Sequence, residues 1–230
     1  MARVLHISDT HGFHGTFPDS RLEGVDIIVH SGDCSNLKDP YRNANEVLDF
    51  LAWYSSLPVP HKVFVAGNHD SSIERGLVTP AQFAEAGITY LQDSGADIMG
   101  LRFWGTPWTP TFNDWSFMRA RHKMKKVWDM VPADTQVLVT HGPPKGVRDL
   151  SFDREGDLEM CGDKSLMNLC LDLKSLRAVM FGHIHNMSGI DTNQGTSRYS
   201  FSDAVFSNGA CVYDGKWDYG LTSHGNMIDL

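Results

Sequence analysis

Apolar and polar positions alternate between two kinds of segment along this chain. Five short runs rich in β-branched residues, Val4 to Ser8, Ile27 to His30, Lys62 to Ala66, Gln136 to Thr140 and Ala178 to Phe181, have the length and character of sheet strands. Between them lie helix-period stretches. Asn43 to Ser56 places Val47, Leu48, Leu51 and Tyr54 on one face, with Asn43 and Glu46 spaced as a capping box. Thr79-Pro80 opens a second helix that Gly87 ends, and Asp163 caps a third from Lys164 to Leu173. A basic helix is expected to run on to Val131, where Pro132 helps stop it. Ile88 to Leu91, Ala96 to Met99 and Leu101 to Trp104 read as further strands, with Gly100 in a hairpin turn. Gly105 to Phe117 carries too many prolines and aromatics for either element and is expected to be an ordered loop. The tail from Ala204 to Leu230 has Gly-punctuated β-like segments suited to completing a second sheet. Alternating strands and helices predict an α/β fold, and 230 residues without a repeat or linker predict one domain over residues 1–230.

Each of the five strand-like runs ends in a polar motif. In order these are Asp9-Thr10-His11, Gly32-Asp33, Gly67-Asn68-His69-Asp70, His141-Gly142 and Gly182-His183-Ile184-His185. Strand ends are where α/β sheets build their sites. The motifs pool three carboxylates, one amide oxygen and five imidazoles, a mixed oxygen and nitrogen set suited to two neighbouring divalent cations. Residues two apart at a strand end point the same way, which pairs Asp9 with His11 and His183 with His185. Asp33 is the expected bridging carboxylate, giving Asp9, His11, Asp33 and His185 around one ion and Asp33, Asn68, His141 and His183 around the other. His69 is left over as the proton-transfer group, with Asp70 beside it to orient the ring. The expected reaction is in-line attack on phosphorus by a hydroxide shared between the metals, with His69 protonating the departing alkoxide. His6, His30, His61, His122 and His224 fall outside any motif and read as structural or surface groups, whereas His14 lies close enough to the first motif to line the pocket.

Composition narrows the partners. The net charge is −8, from 28 acidic and 20 basic residues, and the densest basic run, Arg119 to Lys126, reads as a solvated helix face, so a long nucleic acid is not expected. The four cysteines show no metal or disulfide spacing, which fits a reducing, cytoplasmic setting. Neither a signal segment nor an apolar span of about 20 residues is present, so no membrane partner is expected, and a homodimer is left open.

The ordered motifs resemble the calcineurin-like metallophosphoesterase superfamily, whose pattern is D-x-H, G-D, G-N-H-[DE], H and G-H-x-H, matched here from Asp9 to His185. The resemblance implies a four-layer αββα sandwich, two mixed β-sheets flanked by helices, with two metals at one edge. It favours Mn²⁺, while the donor set also admits Fe, Zn, Co or Ni. A narrower likeness, to the metallophosphoesterase-domain-containing group related to class III cyclic nucleotide phosphodiesterases, is carried by Ser8 to His11, by Gly105 to Pro110 with Phe112 and Trp115, and by His141 to Pro144 with Gly146, Arg148 and Asp149. That likeness points to a small nucleotide-type phosphodiester, with 2′,3′- or 3′,5′-cyclic nucleotides first. A nuclease on short oligonucleotides or strand ends, a phosphomonoesterase and a non-catalytic protein-binding scaffold stand as alternatives. Protein phosphatases of the superfamily carry G-D-x-V-D-R-G, whereas Lys38 ends the stretch Gly32-Asp33-Cys34-Ser35-Asn36-Leu37-Lys38 here. For the substrate, Trp108 or Phe112 can stack on a nucleobase or pack their own loop, and Arg148 can grip phosphate or pair with Asp149.

Overall fold

The computed structural model describes residues 1–152, 155–192, 203–213 and 220–230. Four of its strands, β1 (Arg3–Ile7), β2 (Ile27–His30), β3 (His61–Phe64) and β4 (Thr89–Tyr90), run parallel side by side in that order. After them β5 (Ser94–Ile98) and β6 (Leu101–Thr106) form a hairpin whose Met99 and Gly100 both adopt positive φ, as a two-residue primed turn requires. Two small pairs follow, β7 (Thr109–Pro110) with β8 (Met118–Arg119), and β10 (Leu150–Phe152) with β11 (Leu158–Met160). The hairpin joins β9 (Val137–Thr140), β12 (Ala178–Phe181), β13 (Gly189–Asp191) and β14 (Val205–Asn208) in a second sheet, ordered β13-β14-β12-β9-β6-β5. The tail thus divides: β14 enters the second sheet, but β15 (Asn226–Asp229) pairs antiparallel with β1 in the first. Residues 214–219 of that tail lie outside the described residues.

Period-two alternation stacks the layers. Val4, Ile27, Val29, Val63 and Val65 of the first sheet meet Phe103, Val137, Val139, Ala178 and Met180 of the second. The intervening residues Leu5, Ile7, Ile28 and Phe64 turn outward to α1 (Pro40–Ser56) and α3 (Pro80–Glu85), α2 (Ser71–Glu74) lying between these helices in sequence. On the far side Leu138, Val179 and Phe181 meet α4 (Lys125–Trp128) and α5 (Lys164–Asp172). The result is the αββα sandwich expected, its parallel strands apolar on both faces because both are covered. Where β6 crosses the first sheet, Gly105 leaves no room for a side chain: a Cβ there would collide with Leu91 Cβ and lie 2.7 Å from Val65 Cγ2.

Some element boundaries differ from those the pattern predicts. Helix α1 starts three residues earlier, at Pro40, because Asp39 accepts the Arg42 N–H at 3.0 Å and proline suits the first helical position. Asn43 is therefore buried inside the helix, Glu46 instead accepts the N–H groups of Asn36 and Leu37, and Phe50 replaces Leu48, which is 42% exposed. The basic helix is broken into a 3₁₀ turn, Arg121–Lys123, and the single-turn α4. Thr79 and Gln82 do form a capping box on α3, and Asp163 accepts the Leu166 N–H at the start of α5. No helix of the described residues is long and apolar enough to cross a membrane.

Candidate metal centre

All five motifs meet at one edge of the sandwich, beyond the C-terminal ends of β1, β2, β3, β9 and β12. The loops there are tied to one another by backbone bonds: Asp9 N–H to Gly32 C=O at 2.8 Å, His11 N–H to Asp33 C=O at 3.1 Å, Gly182 N–H to His141 C=O at 2.8 Å. Asp9, His11, Asp33 and His183 all take positive φ, between 43° and 68°, a region that L-residues with side chains avoid. Strain of that kind persists only where surrounding contacts over-determine it, and it collects at functional sites. Three glycines let the loops close. A Cβ on Gly32 would sit 2.5 Å from His141 Nδ1, one on Gly67 would strike Asp33 Oδ1, and one on Gly182 would strike Asp9 Oδ2 and Ser8 Oγ.

The side chains form two groups sharing one carboxylate. In the first, Asp9 Oδ1 lies 3.2 Å from His185 Nε2 and 4.0 Å from His11 Nε2, while the two imidazole Nε2 atoms are 3.3 Å apart. In the second, His141 Nε2 lies 2.9 Å from Asn68 Oδ1 and 3.3 Å from Asp33 Oδ2, with His183 close enough to offer a nitrogen. The same Asp33 Oδ2 is 3.9 Å from His11 Nε2, so this oxygen faces both groups. Two rings are aimed by backbone carbonyls, Ser31 at 2.9 Å from His141 Nδ1 and Ser35 at 3.2 Å from His11 Nδ1. Since a carbonyl only accepts, each Nδ1 carries the proton and each Nε2 faces inward, the arrangement by which proteins orient imidazole ligands.

Protonation suits cation binding. Burial lowers His11 and His183 to about 3, leaving both neutral with a lone pair to offer. Burial opposes ionisation of Asp9 and Asp33, yet the hydrogen bond and charge of His185 hold Asp9 below the usual carboxylate range, and the charge of His141 does the same for Asp33. Burial likewise opposes the charge on His141, but Asp33 wins and raises it to about 9, so a cation entering here would displace that proton. Buried imidazoles, neutral at His11 and His183, with ionised carboxylates and an amide oxygen are donors that fit two borderline divalent metals.

The other residues singled out above sit differently. His69 makes a further possible donor group with His11 and Asp33; its backbone N–H donates to Asp33 Oδ1 at 2.7 Å, and its Nδ1 lies 3.3 Å from the Asn36 carbonyl. Asp70 does not serve as the orienting partner for that ring. Its oxygens accept from the N–H groups of Asp33, Gly67 and Ser35, the Ser35 hydroxyl and the Cys34 thiol, so it clamps the loops instead. Arg148 is committed to the carbonyls of Met187, Ser188 and Ile190 and to Asp191 rather than to an open phosphate site. Trp108 donates to Asp93 and lies under the Arg119 guanidinium, packing its own loop. His14 is buried between Asp49, Phe50 and Trp53.

Rings that do flank the centre come from further along the same loop. Phe112 lies 5.2 Å from His183, and Trp115 stacks on His69. Sequence pattern singled out Trp108 or Phe112 for stacking; Phe112 does lie at the centre, Trp108 does not, and Trp115 was passed over, because loop residues have no periodicity to mark their side. Asn43 was missed too: it binds Ser35 Oγ and the carbonyls of Leu37 and His69, and accepts from Ser72 N–H, holding two motif loops to α1. Beside His185 opens a cavity of about 370 Å³ whose walls include Ser188, Tyr213 and Ser223.

Known proteins are similar to this chain in sequence and in fold. The chain is 33% identical over 211 residues to UPF0046 protein C25E10.12 of Caenorhabditis elegans, covering 85% of this chain and 73% of that one. It is 30% identical over 220 residues to metallophosphoesterase domain-containing protein 1 of Homo sapiens, covering 86% of this chain and 64% of the relative, whose length it therefore spans only in part. A solved dimetal phosphatase from Danio rerio superposes with a TM-score of 0.52 at 12% identity, covering 90% of this chain and 86% of that one, a likeness of fold. The family model described as calcineurin-like phosphoesterase matches residues 2–187, from β1 through the last candidate ligand, and by that match the chain belongs to the calcineurin-like phosphoesterase family.

Proposed function

We propose that this chain is a dinuclear-metal phosphodiesterase of small nucleotide-type diesters, with 2′,3′- and 3′,5′-cyclic nucleotides as its first candidates. The observation that carries the reading is Asp33 Oδ2 lying between His11 and His141, one carboxylate oxygen common to two donor groups. Asp9, His11, Asp33 and His185 would hold one cation, and Asp33, Asn68, His141 and His183 the other. Bound there, two divalent ions supply Lewis acidity to the phosphate oxygens and lower the pKa of water.

His69 supplies what the cations do not. With its Nδ1 toward the Asn36 carbonyl, a group that only accepts, the ring turns Nε2 to the substrate. Water supplies the oxygen that bonds to phosphorus and releases one proton to solvent; the bond from phosphorus to the leaving oxygen breaks, that oxygen takes a proton from Nε2 of the His69 imidazolium, and a proton from solvent restores the ring. Alkoxide leaving groups gain most from such protonation, which favours diesters of sugars over activated aryl esters. The 370 Å³ cavity beside His185 is of small-ligand size, and the acidic charge disfavours long nucleic acid. Four free cysteines and no spanning helix among the described residues suit a reducing, cytoplasmic setting.

A hydrolysis screen of cyclic nucleotides, dinucleotides, short oligonucleotides and monoesters with added Mn²⁺ tests the proposal alongside metal analysis. About two ions per chain and turnover of cyclic nucleotides are expected. Preferential turnover of oligonucleotides or monoesters would replace the substrate reading, and absence of bound metal would remove the enzymatic one.

A further inference from the structure

The imidazole of His69 is held by more than its backbone. Trp115 stacks on it with ring centroids 4.2 Å apart and planes inclined by 27°, and His11 meets it edge-on at 4.7 Å. The stack is built into the chain rather than struck by chance. Ser116 N–H donates to the Asn68 carbonyl at 3.1 Å, so the residue after the indole is bonded to the residue before the imidazole. Phe117 N–H donates to Glu74 Oε1 at 2.8 Å, and Thr109 N–H to the Phe117 carbonyl at 2.9 Å, closing the loop behind it. Lys38 Nζ lies 5.0 Å from the centre of the indole, on the same segment whose Asn36 carbonyl faces His69 Nδ1. The indole face, the His11 edge and the Asn36 carbonyl therefore converge on one half-buried ring.

We infer that Trp115 is a positioning residue for the reaction: its indole fixes the plane of His69, so that the proton on Nε2 is delivered along the line of the departing oxygen. The inference rests on the acid role proposed for His69. A loosely held imidazole still reaches the leaving oxygen, but it spends less time aligned, and misplacement by about 1 Å is enough to cost on the order of 100-fold in rate. Binding of the phosphate, which the cations and their ligands govern, does not depend on the indole. The loss therefore falls on turnover and is greatest where the leaving group needs protonation. Phenylalanine preserves a flat face at the same place and should preserve most of the effect, whereas alanine removes it.

The test compares wild type, Trp115→Ala, Trp115→Phe and His69→Asn with added Mn²⁺, using 2′,3′-cyclic AMP for an alkoxide leaving group and bis(p-nitrophenyl) phosphate for an activated one. Trp115→Ala is expected to lower kcat on the cyclic nucleotide by about 10- to 100-fold, with KM and metal content within about two-fold of wild type and a smaller loss on the aryl ester; Trp115→Phe should recover most of it. A readout independent of turnover accompanies this. In protein loaded with diamagnetic Zn²⁺ instead of Mn²⁺, the ring-current displacement of the His69 ring protons in the NMR spectrum should fall in Trp115→Ala to what the His11 ring alone gives and persist in Trp115→Phe. Equal losses on both esters, a change confined to KM, or no recovery with phenylalanine would overturn the positioning role. If His69→Asn itself retains full turnover, the acid reading fails; if it loses turnover while Trp115→Ala does not, only the inference about Trp115 fails.

Discussion

Asp33 is the residue on which the most geometry converges. Its Oδ2 faces two imidazoles, its Oδ1 receives the His69 N–H, and its own N–H is held by Asp70. Removing the carboxylate deletes the oxygen common to both donor groups, so Asp33→Ala is expected to lose both metals and all turnover, as elemental analysis and diester hydrolysis would show. Loss of one ion with the other retained would contradict a bridging role. Gly182→Ala offers a gentler version of the same experiment. The added methyl would strike Asp9 Oδ2 and Ser8 Oγ, so weaker metal affinity is expected with every candidate ligand still present. The candidate donors that the fold brings together were legible in the sequence because the five motifs keep their residue types at fixed spacing. Their supporting partners were not: the carbonyls of Ser31 and Ser35 that aim His141 and His11 belong to the backbone and carry no side-chain signature.

At the scale of elements, α1 shows how capping and burial divide the work. Asp39 caps its exposed first turn, while Asn43, one turn later, is fully buried and bonded to two motif loops. Asp39→Ala is expected to cost about 1 kcal/mol in chemical denaturation and leave metal content unchanged. Asn43→Ala strands several buried polar groups, each worth about 1–3 kcal/mol when unsatisfied, and should also disturb the His69 loop. Equal effects of the two on metal binding would contradict this division. The sequence showed a helix here because its apolar period is strong. It misplaced the start because Asn43 and Glu46 imitate a capping box, whereas Asp39 is the N-cap and Pro40 the first helical residue. The stretch from Gly105 to Phe117 was read as a loop, whereas Gly105 and Thr106 end β6 and Thr109–Pro110 form β7; which rings face the centre depends on the bonds from Ser116 to Asn68 and from Trp108 to Asp93, contacts that no local pattern encodes.

For the molecule as a whole, buried histidines set the response to acid. Burial lowers both His6 and His30 to about 3, far below the ordinary 6.5. His30 is held neutral by geometry as well, since its Nδ1 accepts the Gly32 N–H. Between those pH values the unfolded chain binds protons that the folded chain refuses, so stability rises with pH across that window and falls on acidification. Denaturation midpoints measured from pH 7 down to pH 4 should drop steadily, and a flat profile would contradict the neutral, buried state of these rings. Layer order came with the family resemblance, and the structure shows its basis: residues in parallel strands alternate between the two covers, Val4 inward and Leu5 outward, Val137 inward and Leu138 outward. The return of β15 to pair with β1 was not, since pairing between distant strands leaves no trace in either one alone.

The thickness of the sandwich carries a consequence for the chemistry. Asp9, His11, Asp33 and Asn68 hang from one sheet, while His141, His183 and His185 hang from the other. Packing between the sheets is therefore the gauge that sets how far apart the two halves of the centre stand. Gly105, pressed against Leu91 and Val65, is one of its shims. Apolar residues far from the edge thereby act as a spacer, and sheet contacts that look purely structural set the separation of the candidate donors.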